Sequence, residues 1–217
     1  MGTRGFYCFL YKGIYYIIYN HWDSYPEGLG ETLLRQLKGL SLQELRERLE
    51  HNVVVCHGKY PEFTQKVADN FRKFILQDES YFESWLHRSS MYLKNSKTSD
   101  LNAIIKHNSS AFYTWILETY GSSEEIWSFL LDRIFCANGL DLKKALSLGY
   151  LLLYELPTEK APENDLFIEF IYIIDLDHEK FLVQCDYEGD EWEFELQELL
   201  TDVCDSRESL TEKLKIK

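Results

Sequence analysis

The sequence predicts an α+β fold, and three observations predict it. Runs rich in Tyr, Phe and Ile with strand character open the chain, amphipathic helical spacing fills its middle, and strand character returns towards the end. The expected arrangement is a single domain over residues 1–217. One mixed or antiparallel sheet system takes in the N-terminal hairpin and the C-terminal strands, with the central helices packed on it; a four-layer sandwich is one version. Residues 1–40 hold the hairpin and a motif loop, 41–146 are helical, and 147–217 are acidic and strand-rich.

Phe6–Tyr11 and Ile14–Asn20 flank Lys12-Gly13 and read as a tight β-hairpin. His21–Gly30 carries Asp, Ser, Pro and two Gly and reads as a loop. A helix is expected over Glu31–Lys38, closed by Gly39. Ser41 and Glu44 have capping-box spacing ahead of Leu42, Leu45 and Leu49. Asn52–Cys56 reads as a third strand, and Pro61 as the opening of a helix whose stripe holds Phe63, Val67, Phe71 and Phe74 or Ile75. Ser80 with Glu83 repeats the capping spacing, Ser96–Ser99 reads as a loop, and Ser110–Tyr120 and Ser122–Cys136 read as helices, the second ending near Asn138-Gly139. Trp85, Trp115 and Trp127 fall at core positions of these helices. Tyr150–Leu156, Leu166–Ile174, Lys180–Cys185 and Glu191–Glu195 read as extended.

Of the 217 residues 45% are apolar and 15% aromatic, enough for a sizeable core without staples. No apolar run reaches the roughly 18 residues that span a bilayer. The opening apolar stretches are broken by Lys12 and Gly13, unlike a secretory signal. Phe6 stands where a myristoylation signal needs Ser or Thr. The five cysteines are scattered, without a CxxC pair, which fits reduced thiols in the cytoplasm or nucleus and not a thiolate zinc site. The net charge is −13, and Glu159 to Glu208 alone holds 17 acids against 3 bases. That face repels phosphates, so nucleic acid is a poor partner. It reads as a solvated, solubilising face or as a docking surface for a basic partner.

The segment Tyr19–Gly30 carries the most chemistry. His21, Asp23 and Ser24 follow a strand end, with Trp22 and Tyr25 between and beside them. In extended backbone His21 and Asp23 share a face, and a hydrogen bond between them would fix a tautomer and raise the imidazole's basicity. The Gly28-Leu29-Gly30 backbone leads into a helix N-terminus and suits an anion. The same groups also fit a structural role, with Asp23 or Ser24 capping a turn and the aromatics in the core.

The opening Gly2-Thr3-Arg4-Gly5, the Lys12-Gly13 hairpin and the Asn20-His21-Trp22-Asp23-Ser24-Tyr25-Pro26-Glu27-Gly28-Leu29-Gly30 segment resemble a family of uncharacterised proteins. Its members begin Gly-Thr-Arg-Gly and carry Asn-His-x-Asp-Ser-Tyr-Pro-x-Gly-Leu-Gly. The resemblance covers about the first 40 residues, with a familiar strand pattern at Ile174–Asp177, and it implies no activity. The opening also resembles that of proteasome-type Ntn hydrolases. That likeness implies a nucleophilic Thr3 freed by removal of Met1 and Gly2, with Arg4 and Asp23 beside it. Met1 at the head of the chain weighs against such processing.

Cys56 and His57 alternate across a strand, which argues against a dyad with each other and leaves open a Cys56 nucleophile paired with a distant residue. Asp175, Asp177 and His178 suit either a hard cation or a simple turn. No Walker A, G-x-G-x-x-G, H-E-x-x-H or G-x-S-x-G motif is present, and no cofactor or metal is expected. Two functions follow. One is an interaction or structural module, keyed by the 19–30 loop, whose partner is an unknown protein or small molecule and not a membrane. The other is a hydrolase drawing on Thr3, Arg4, His21, Asp23 and Ser24, with Gly28 and Gly30 holding an anion.

Overall fold

The opening strands Gly5–Tyr11 (β1) and Ile14–Asn20 (β2) form the expected antiparallel hairpin, with Lys12 and Gly13 at positive φ in its turn. The structure is a computed structural model. It describes residues 3–56, 58–77, 79, 82–83, 86, 98–135, 142–163, 167–185, 189–205 and 209–215. The chain forms two compact units, Met1–Lys59 with Phe135–Lys217, and Tyr60–Ile134.

In the first unit, α1 (Glu31–Lys38) and α2 (Leu42–His51) follow the hairpin. Gly39 closes α1, and the Ser41 hydroxyl accepts the Glu44 N–H at 3.0 Å to start α2. Strand β3 (Val53–Val55) pairs in parallel with β4 (Tyr150–Leu152) as a separate two-stranded sheet. The main sheet is completed by β5 (Phe170–Asp175), β6 (Lys180–Cys185) and β7 (Asp190–Glu195), in the order β2-β1-β5-β6-β7. β1 and β5 run parallel and the other neighbours antiparallel. The fold is thus α+β, with the N-terminal hairpin and the C-terminal strands in one mixed sheet.

β5 lies at the middle of that sheet, and all six of its residues are buried, as its unbroken apolar run requires. Phe9, Phe170, Tyr172, Ile174, Phe181 and Val183 share a core with leucines of α1 and α2. The same core takes in α8 (Leu196–Asp205) and α9 (Leu210–Leu214), and also α7 (Leu142–Ser147). Alternate residues Phe6, Cys8, Ile17, Ile171 and Ile173 form a second cluster on the opposite face.

The second unit is helical: α3 (Gln65–Ile75), α4 (Thr98–His107), α5 (Ser109–Tyr120) and α6, which starts at Ser123 and ends at the boundary as Ser123–Phe135. Trp127 is fully buried, edge-on to Phe71, with its indole N–H donating to the Pro61 carbonyl at 2.7 Å. Trp115 is half-buried, and Trp85 lies outside the described residues.

Several boundaries differ from expectation. Pro61 does not open α3: the helix starts at Gln65, because the Thr64 hydroxyl caps the Val67 N–H. Thr98 and Ser99 begin α4 instead of lying in a loop. β4 stops at Leu152, after which the chain turns to bond β2. Phe167 adopts φ +82°, and the regular strand starts only at Phe170. The Ser80 cap and the Asn138-Gly139 stop lie outside the described residues.

Candidate functional site

The motif loop is built around Ser24. Its side chain is fully buried, and its hydroxyl accepts from Asn20 Nδ2 at 2.7 Å. The hydroxyl also lies 3.4 Å from the Asn20 carbonyl, its acceptor. The Ser24 N–H donates to the Thr3 carbonyl at 3.2 Å, and the Ser24 carbonyl accepts the Tyr172 hydroxyl at 2.7 Å. Burial pushes the Tyr172 phenol well above its ordinary pKa, so it stays protonated and donating. Every polar group of Ser24 is thereby bonded within the protein.

Two glycines make room for this arrangement. A Cβ on Gly5 would stand 2.6 Å from the Phe170 carbonyl oxygen and 2.7 Å from Ser24 Cβ. A Cβ on Gly28 would stand 2.2 Å from the Asp23 carbonyl oxygen. Pro26–Gly30 is not an open loop but one turn of π-helix running into α1. Its N–H groups reach back to the residues ahead of it: the Leu29 N–H donates to the Asp23 carbonyl at 2.8 Å and the Gly28 N–H to the Tyr25 carbonyl at 3.0 Å. The anion reading needs a free donor at Gly28, and that donor is engaged. Gly30 is buried, its α-carbon pressed towards Leu210 and Tyr172.

The expected His21–Asp23 hydrogen bond is not formed. Asp23 takes φ +53°, which breaks the extended geometry that would have put both side chains on one face. His21 Nδ1 lies instead 2.8 Å from the Tyr19 hydroxyl, and its ring meets Trp22 edge-on at 4.7 Å. The Asp23 carboxylate is exposed and makes no hydrogen bond or ion pair with the described residues. Trp22 and Tyr25, expected in the core on the structural reading, are 49% and 39% exposed. Arg4 sets its guanidinium 5.8 Å over the exposed Phe167 ring. Of the five candidate catalytic residues, the structure brings together only Thr3 and Ser24, and it does so through main-chain groups. The partners that fix the loop are Asn20, Gly5 and Tyr172. Gly5 alone left a sign, as a glycine opening a strand of bulky residues.

A hollow of about 940 Å³ lies elsewhere, lined by Phe6, Ile17, Tyr154, Leu156, Thr158 and Lys160 among others, and by no residue of 20–30. At the opposite end of the hairpin, the candidate cation ligands are occupied. Asp175 Oδ1 accepts the N–H groups of Asp177 and His178 at 2.9 and 3.0 Å, and its Oδ2 meets His178 Nδ1 at 2.9 Å. That contact raises the His178 pKa. Asp177 accepts the Lys12 and Gly13 N–H groups. Among the described residues no group of three or more His, Cys, Asp or Glu is placed to hold a metal. Cys56 is buried, which raises its thiol pKa, and His57 lies outside the described residues.

No family model, curated protein or solved structure matches the chain.

Proposed function

We propose that the chain is an interaction module, in which the 19–30 segment is a rigid structural keystone that presents His21, Trp22, Asp23 and Tyr25 for recognition. The observation that carries this reading is the complete satisfaction of buried Ser24, beside an indole and a phenol left in solvent. Catalytic groups reach solvent in a pocket, whereas structural ones are buried and fully bonded. Rigid aromatic side chains on a fixed turn suit a protein partner. The acidic C-terminal quarter adds a charged surface to the same module. The shared Gly-Thr-Arg-Gly opening and motif would then mark a family with a common recognition turn.

The hydrolase alternative draws on one observation, the main-chain contact that sets Thr3 against Ser24. Two experiments separate the readings. A photo-crosslinking side chain at Trp22, in cells making the full chain, is expected to trap a discrete protein adduct that one at exposed Lys66 does not. Ester and amide substrates are offered in parallel to the wild type and to a chain beginning at Thr3. Turnover that disappears in Thr3→Ala or His21→Ala would overturn the interaction reading.

A further inference from the structure

The two edges of the main sheet are treated differently. At the β2 edge the segment after β4 supplies partners: the Tyr154 N–H donates to the Ile17 carbonyl at 2.7 Å, and Tyr15 and Thr158 exchange N–H···O bonds at 2.7 and 3.2 Å. At the β7 edge no described residue bonds the outer side. Asp190, Glu191, Glu193 and Glu195 are all exposed, with Glu193 and Glu195 side chains 56% and 53% accessible. The Leu196 N–H donates to the Glu179 carbonyl at 2.9 Å. By the alternation of an antiparallel ladder, the backbone groups of Glu191, Glu193 and Glu195 therefore point away from β6.

An unpaired edge is a template for another strand, and proteins normally blunt it with charged side chains, Pro, a bulge or shortness. β7 is six residues long, in unbroken register with β6, and contains none of Pro, Lys or Gly. Its three glutamates share one face by strand alternation. Pairing two copies edge to edge would set like charges opposite one another, which destabilises the pair. The edge is thus closed to itself and open to a strand of opposite charge. Lys180 on β6 shows the geometry from the inner side: its ammonium reaches Glu193 at 3.2 Å and also contacts Glu195. Among the described residues Glu191 has only Gln184 Nε2, at 3.4 Å.

We propose that the β7 edge takes up an extended segment of a partner protein as a sixth strand, with Lys or Arg at alternate positions over about five residues. The main chain of that segment bonds the outward groups of Glu191, Glu193 and Glu195, and its basic side chains meet the carboxylates from the side opposite Lys180. The inference rests on the interaction reading and names a partner chemistry for it.

The test titrates a Lys-Val-Lys-Val-Lys peptide into the full chain by calorimetry at low salt. Saturable binding is expected, weakened by salt. The same peptide N-methylated at alternate residues is expected to bind about tenfold or more weakly, the effect of losing one or two main-chain hydrogen bonds. Glu193→Lys should abolish binding. Glu193→Pro removes the outward N–H at an edge position where proline is tolerated, and should weaken binding more than Glu193→Gln. If Glu193→Pro lowers the melting temperature, the N-methylated peptide, which leaves the protein untouched, decides. Equal binding of both peptides, no binding at low salt, or dimerisation of the wild type through this edge would each overturn the proposal. Binding that survives Trp22→Ala with Tyr25→Ala keeps this result separate from the crosslinking test of the motif turn.

Discussion

Asp177 closes the turn at Gly13 from a distant part of the chain: its carboxylate accepts the Gly13 N–H at 2.9 Å and, through its other oxygen, the Lys12 N–H at 2.7 Å. The β5–β6 turn therefore fastens the tip of the N-terminal hairpin. The Leu176 N–H bonds the Leu10 carbonyl at 2.8 Å, and Arg46 of α2 reaches the Leu176 carbonyl at 2.6 Å. These contacts give the hairpin a defined end as well as a paired side.

Removing that clamp has a predictable cost. Asp177→Ala leaves two turn N–H groups to water and is expected to lose about 1–2 kcal/mol. For a chain of this length that lowers the melting midpoint by about 2–8 °C. Asp177→Asn retains one acceptor oxygen and should fall between the variant and the wild type. Equal midpoints for all three proteins in thermal melts would show that the clamp carries no stability.

The glycines around Ser24 should be less tolerant than the exposed aromatics beside it. Gly28→Ala drives a methyl group into the Asp23 carbonyl, and Gly5→Ala into Phe170 and Ser24, and main-chain atoms do not swing aside. Each is expected to cost about 1–3 kcal/mol or more in urea unfolding. Ser24→Ala takes one of two acceptors from the half-buried Asn20 amide, which keeps the Trp22 carbonyl, and should cost about 0.5–1.5 kcal/mol. Trp22→Ala, with the indole half in solvent, should stay within about 0.5 kcal/mol. A Trp22 variant as damaging as Gly28→Ala would move the indole from the recognition surface to the fabric of the loop.

The hairpin and α1 were legible because their signals are local. Period-two aromatics around Lys12-Gly13 specify the first, and the leucine spacing before Gly39 specifies the second. The role of Ser24 was not legible, since it depends on Tyr172 of β5 and on the missing Cβ of Gly5, which only tertiary structure brings near. The sign of φ at Asp23 likewise undid the expected partnership with His21. α8 was hidden for a different reason. Glu195 passes directly into Leu196 without Gly or Pro, so no punctuation separates the strand's alternation from the helical spacing of Leu196, Leu199, Leu200 and Val203.

Stability should depend on pH through His178. The hydrogen bond and charge of Asp175, with further contributions from Asp177 and Glu193, raise the imidazole's pKa above its ordinary 6.5. A raised folded-state pKa stabilises the protein fully below the unfolded value and loses that contribution as pH climbs through the folded value. The wild-type midpoint should therefore fall relative to that of His178→Gln as pH rises from about 6 towards 8, near the range where histidine titrates. Because the imidazole is exposed the difference should be small, and salt should shrink it. Parallel midpoint curves for the two proteins across this range would remove His178 from the account.

The thiols test how firmly the sheet's core is held. Cys8 lies on the β1 face turned to Ile17, Ile171 and Ile173, and Cys56 ends the segment that follows β3; both are buried. Burial raises the pKa of each thiol, so little reactive thiolate exists at neutral pH. With a disulfide reagent near pH 8, peptide mapping should find Cys8 modified only at the rate of global unfolding. Cys56, next to a turn that carries Lys59, should react earlier, through local opening. Adding urea below the unfolding midpoint should accelerate Cys8 in proportion to the change in global stability. Rapid modification of Cys8 in the native protein would mean that the second face of the sheet opens independently of the first, and the mixed sheet would not unfold as one unit.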